Sequence, residues 1–231
     1  MVTEKISDTY HIIRFDNGDV LHLVGTAHVS KDSVKEVQEI IEKESPDRVC
    51  IELDAGRMKS KSKESSWEEM DIKKVFKEGK GFLLLANTAL ASFQKRMGAQ
   101  TGADPGAEIL GAAKLAEEKG IPVSLCDREI QTTFRRAWYK SSLWNKCKLL
   151  ATLISAAFSD EEISEEELAE LKNEETLESM LKEVAKELPS VKEVLIDERD
   201  RYLATSMYTA EGHVKVGVIG AGHTQGLIRT L

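Results

Sequence analysis

The sequence predicts an α/β fold: a central mixed, largely parallel sheet flanked by helices, with a helical insertion. Three observations carry this. A helical pattern at 30–44 lies between apolar runs at 20–24 and 48–53, which makes a β-α-β unit and a parallel sheet. The runs at 10–15 and 20–24 flank Asn17-Gly18, whose positive φ angles suit a tight hairpin, so one edge is antiparallel. A Glu-rich stretch at 160–188 keeps helical spacing and has no place in the sheet.

The elements follow in order. Val34, Val37, Ile40 and Ile41 give the first helix its apolar stripe, with Ser30 as its N-cap. Residues 59–69, polar and rich in Ser and Lys, are expected to form a mobile loop. An apolar helix is expected over 81–97; it suits burial in the core, with a homodimer interface as the alternative. Asp104-Pro105 opens a helix that ends at Gly120, and 121–126 is the next strand. One or two helices are expected from Arg128 to about Ser159, and helix resumes over 191–210. The last strand is 214–219, with a helix after it. All of this reads as one domain over 1–231, with the insertion at about 139–196.

Composition excludes some functions. Lys plus Arg total 32 against 40 Asp plus Glu, a net charge of −8, and no basic stripe offsets it. Nucleic acid is therefore not an expected partner. The three cysteines are too few and too far apart for a disulfide framework or a C-x-x-C site. Cys50 and Cys126 read as small core residues. The first residues lack the apolar region of a signal peptide, and no segment has the ~18 apolar residues that span a bilayer.

In parallel α/β sheets, ligands bind at the carboxyl ends of the strands. Four such ends carry polar or Gly-rich sequence. Two are Gly-x-x-His turns, Gly25 to His28 and Gly220 to His223, from opposite ends of the chain, and they are expected to meet in one centre. Glycine lets the backbone turn sharply off the strand, and the histidine can ligate metal or move a proton. Glu52 and Asp54 share a face by period two. An ionised carboxylate in an apolar run needs a partner, and Arg57 could supply it. Otherwise Glu52 is a metal ligand or general base. Glu108, in a helix first turn, is a second carboxylate for the same pocket. Asp127-Arg128 and Glu198-Arg199 are either structural pairs or substrate clamps. His11 and His22 face each other or solvent, and His213 sits in a turn. Two His plus two Glu would suit Zn²⁺, Mn²⁺ or Co²⁺.

Several motifs occur together: Leu23-Val-Gly-Thr-Ala-His-Val-Ser30, Cys50-Ile-Glu-Leu-Asp-Ala-Gly-Arg57, Pro105-Gly-Ala-Glu108, Asp127-Arg-Glu-Ile-Gln131 with Arg135-Arg136-Ala137-Trp138, Glu198-Arg-Asp-Arg-Tyr-Leu203 and Gly220-Ala-Gly-His-Thr-Gln-Gly226. As an ordered set they resemble the TraB family, which includes PrgY-like pheromone-shutdown proteins and is grouped with Tiki proteases and erythromycin-esterase-like proteins. The resemblance implies a metal-dependent peptidase or related hydrolase with a peptide substrate and a divalent metal (Mn, Co or Zn). His28, Glu52 and His223 would be metal ligands. Glu108, Glu52, His223 and Arg57 would be catalytic. Arg57, Asp127, Arg128 and Arg199 would contact substrate. The alternatives are a non-catalytic peptide-sequestering module and a metal-independent His/Glu hydrolase. Many prokaryotic members carry a membrane region after this domain. The expectation is thus a cytoplasmic soluble domain, either of a membrane-anchored protein or of a naturally short member.

Overall fold

The structure is a computed structural model that describes residues 1–26, 31–61, 81–101, 106–158 and 186–231. Its sheet has six strands: β1 (Val2–Lys5), β2 (Tyr10–Arg14), β3 (Val20–Thr26), β4 (Arg48–Ile51), β5 (Val123–Leu125) and β6 (Val214–Gly220), in the order β1-β2-β3-β6-β4-β5. The β1–β2 and β2–β3 pairs are antiparallel, and the pairs joining β3, β6, β4 and β5 are parallel. The fold is the expected mixed α/β one. The hairpin also forms, but of Asn17-Gly18 only Gly18 takes a positive φ, +91°.

The helices are α1 (Lys31–Glu44), α2 (Ala55–Lys61), α3 (Gly81–Thr101), α4 (Ala107–Glu118), α5 (Ile130–Lys140), α6 (Leu143–Phe158), α7 (Pro189–Lys192), α8 (Glu198–Thr209) and α9 (Ala221–Thr230). A π-helical turn, Glu193–Asp197, joins α7 to α8. Gly120 takes φ +69°, the left-handed conformation expected after a helix end. Much of the acidic stretch at 160–188 lies outside the described residues.

The alternation of each strand divides the core in two. Val24, Val49, Ile51, Val216 and Val218 pack with Val37 and Ile41 of α1 and Ile109 and Ala112 of α4. Leu21, Leu23, Cys50 and Ile219 point the other way, to Leu203 and Met207 of α8 and Leu227 of α9. The sheet is therefore covered on both faces, and its parallel strands are correspondingly apolar along their length. Lys215 is fully buried on the second face, and its ammonium donates to the carbonyls of Tyr208 (2.9 Å) and Ala210 (3.1 Å) at the end of α8. That is how a cation is tolerated there: two of its three donors are used and it lies at the negative end of a helix.

Three expectations need correction. Strand β1 was not anticipated; it is an exposed edge strand without an apolar face, so it carries no alternation to read. The expected loop at 59–69 begins as helix, because α2 runs to Lys61; Asp54 supplies its start by accepting from the amides of Gly56 (2.8 Å) and Arg57 (3.0 Å). Residues 62–69 lie outside the described residues. His11 and His22 are both buried rather than facing solvent, and His22 Nδ1 lies 2.6 Å from the Tyr10 hydroxyl.

Candidate functional site

The strands bearing the two Gly-x-x-His turns are neighbours. β3 and β6 run parallel, with Gly25 opposite Ile219 and Thr26 opposite Gly220. The strand ends from which the two motifs start thus lie side by side at the carboxyl end of the sheet. His28 lies outside the described residues. His223 is buried in the first turn of α9.

Neither glycine serves as a turn residue in the way expected. Gly220 has φ −68°, and Gly25 is not among the positive-φ glycines. The requirement at Gly25 is close approach: a Cβ there would collide with the Thr224 hydroxyl of α9. That hydroxyl is buried and has no hydrogen-bond partner among the described residues. The same device recurs at Gly226, where a Cβ would collide with the Asp200 carboxylate of α8.

Strand parity decides which helix each site residue meets. Glu52 follows Cys50 onto the face covered by α8 and α9. One of its oxygens accepts from Arg199 at 2.5 Å, and the other accepts from the Gly220 amide at 2.7 Å. Thr26 follows Val24 onto the opposite face, where its hydroxyl donates to Glu108 at 3.2 Å and to the Ile219 carbonyl at 3.3 Å. Glu108 is fully buried in the first turn of α4. Glu52 and Glu108 therefore reach the end of the sheet from opposite sides.

The histidine is held by a carboxylate that sequence reasoning missed. Asp200 Oδ1 lies 2.6 Å from His223 Nδ1, and both residues are buried. His223 Nε2 is turned toward Glu52 Oε1 at 3.5 Å. With the proton on Nδ1, shared with Asp200, Nε2 carries the free lone pair. The motif Glu198-Arg-Asp-Arg-Tyr-Leu203 contains Asp200, but mid-helix placement gave no reason to choose it over its charged neighbours.

Beside this pair lies a chain of buried ions. Arg199 joins Glu52 to Asp127 (2.8 Å), and Arg57 joins Asp127 to Asp54, both at 2.5 Å. Burial opposes the charge on Arg199, but Glu52 and Asp127 outweigh it and hold the guanidinium above its ordinary range. Glu52 thus pairs with Arg199, and Asp54 pairs with Arg57. The anticipated neighbour pairs are also exchanged: Arg128 pairs with Glu198 (2.8 Å), and Arg199 with Asp127. Glu198 receives Arg136 and Lys140 as well, and these cations, Arg136 foremost, hold its carboxyl well below the usual range. The guanidinium groups of Arg128 and Arg199 are thus occupied by carboxylates of the chain itself. Arg57 is the more open of the three bridging arginines, its side chain keeping 30% of its exposure.

A divalent ion fits these donors in part. A ligating histidine usually gives its other nitrogen to a carboxylate, as His223 does to Asp200. Each Glu52 oxygen already takes a donor, from Arg199 and from the Gly220 amide. Among the described residues, no group of three or more His, Cys, Asp or Glu is arranged to hold a metal.

Fold and site together define an α/β domain whose polar centre sits where parallel strands β3, β6 and β4 end. A family model described as the TraB/PrgY/gumN family matches residues 11–231, and the chain belongs to that family. It is 36% identical to the Methanocaldococcus jannaschii protein MJ1365 over 91% of this chain and 53% of that one. It is 29% identical to a TraB domain-containing protein of Bos taurus and 28% identical to one of Homo sapiens, each over 92% of this chain and 62% of the relative. The chain thus spans about half to three-fifths of the length of these relatives. Among the described residues, no helix is long and apolar enough to cross a membrane.

Proposed function

We propose that this domain is a metal-dependent hydrolase acting on peptides. The observation that carries the reading is the Asp200–His223 pair, which leaves Nε2 turned toward Glu52 at the carboxyl end of the sheet. The peptide class follows from the resemblance to Tiki-type proteases. His223, Glu52 and His28 are the residues that would hold the ion. A bound divalent ion would polarise the scissile carbonyl and lower the pKa of water toward neutral.

The chain's own residues do the rest. Asp200 fixes the tautomer and plane of His223. Arg199 and the Gly220 amide hold Glu52 in place. Glu108, reached through Thr26, is the second carboxylate, which takes a proton from water and returns it to the leaving amine. Arg57, at the open end of the ion chain, orients substrate.

A second reading is favoured by the Arg199–Glu52 contact, since a guanidinium beside Glu52 competes with a metal for the same carboxylate. In that reading His223 and Glu52 activate water without an ion. The experiment that tests both is cleavage of a peptide library by metal-loaded and chelated protein. Loss on chelation and return with Mn²⁺, Co²⁺ or Zn²⁺ supports the first reading; unchanged cleavage supports the second. If peptides bind and are never cleaved under any metal, the domain sequesters peptide instead.

A further inference from the structure

The four charged residues that open α8 divide their contacts. Glu198 meets the cations of α5, Arg199 meets Glu52 and Asp127, and Asp200 meets His223. Arg201, the fourth, has no ion-pair or hydrogen-bond partner for its guanidinium among the described residues. It lines a groove of about 500 Å³ between α8 and α9, which Arg229 of α9 also lines. The Arg229 guanidinium is likewise without a partner among the described residues. Of the other charged groups around the groove, Lys192 pairs with Asp197, and the Asp200 carboxylate is hydrogen-bonded to His223. Arg201 and Arg229, from two helices, thus line one cavity without ion-pair partners among the described residues, and the Asp200 carboxylate lines it with them.

We propose that this groove is a binding site for an oxyanion, taking the carboxylate or phosphate end of a small ligand between Arg201 and Arg229. Guanidinium groups pair with such anions in bidentate fashion, and the cavity falls within the ~300–1,000 Å³ usual for small-molecule sites. Its wall includes Asp200, so the bound anion lies beside the residue that holds His223. The binding itself does not depend on the proposed hydrolase activity.

The test is isothermal titration of the whole chain at low ionic strength with three probes: sodium phosphate, an N-acetylated dipeptide with a free carboxylate, and the same dipeptide as its C-terminal amide. Saturable one-to-one binding of phosphate or of the free carboxylate is expected, with none of the amide. The stronger of the two anions identifies the ligand as phosphoryl or as a peptide end. Arg201→Gln and Arg229→Gln should each weaken binding about tenfold or more, the loss of one charged hydrogen-bonding group. Both side chains are exposed, and unchanged circular dichroism checks the fold. The proposal is overturned if neither anion saturates, if the amide binds as well as the acid, or if both variants bind like the parent protein.

Discussion

Asp200 and His223 lie on different helices, α8 and α9, yet their Oδ1 and Nδ1 atoms are 2.6 Å apart. Two features allow this. Gly226 lets α9 approach Asp200 without a Cβ in the way. The π-helical turn before α8 carries Glu198, Arg199 and Asp200 toward three separate partners in succession, and such turns are frequent at functional sites.

The pair sets a tautomer. In Asp200→Asn the amide N–H can donate to the ring nitrogen and favour the proton on Nε2. Nitrogen NMR of the His223 imidazole should show Nδ1 protonated in the parent and Nε2 protonated in the variant. Peptide cleavage should fall by about 10- to 100-fold, as for loss of a residue that orients a ligating histidine. An unchanged imidazole spectrum would contradict the assignment.

Gly226→Ala tests the close approach. In an ordinary helix interior this change is stabilising by about 1 kcal/mol. Here the new methyl meets the Asp200 carboxylate, so chemical denaturation should show a net loss of about 1–3 kcal/mol. Removing the carboxylate with Asp200→Ala should recover most of that loss in the double variant.

Arg199 bridges two buried carboxylates, Glu52 and Asp127. Arg199→Met leaves both without their shared cation. A loss of about 3–5 kcal/mol is expected in urea unfolding, the usual cost of breaking a buried pair from one side. A loss below about 1 kcal/mol would mean that the pair is effectively solvated.

Glu198 gives a pH dependence. Its folded pKa is held below the ordinary 4.5 by Arg136, Arg128 and Lys140. The native state therefore binds fewer protons than the unfolded state in that region. The resulting stability is present above about pH 4.5 and is lost as pH falls through the folded value. Stability of the parent relative to Glu198→Gln should shrink between pH 6 and pH 3; a constant difference would contradict the contact.

Much of the framework was legible because it rests on local pattern. The hairpin at Asn17-Gly18, the β-α-β unit through α1 and the strands begun at Val20 and Val214 all follow from periodicity and turn chemistry, though the strands run to Thr26 and Gly220. Period two also placed Glu52 on a definite face. The sequence could not reveal partners set by helix docking. Arg199, 147 residues away in sequence, meets Glu52 because α8 covers that face. Asp200 stayed hidden because nothing in a run of four charged residues says which one faces a histidine 23 residues later. The glycines misled in the same way: Gly25 is required by a neighbour, Thr224, that only the packed structure brings near.

The central claim is that His223 presents Nε2 to a metal in a centre shared by both Gly-x-x-His turns. A crystal structure of the protein soaked in Mn²⁺ or Zn²⁺, with anomalous data at the metal edge, tests it most directly. One ion is expected about 2.0–2.3 Å from His223 Nε2, shared with His28. Metal bound only elsewhere, or none at His223, would contradict it.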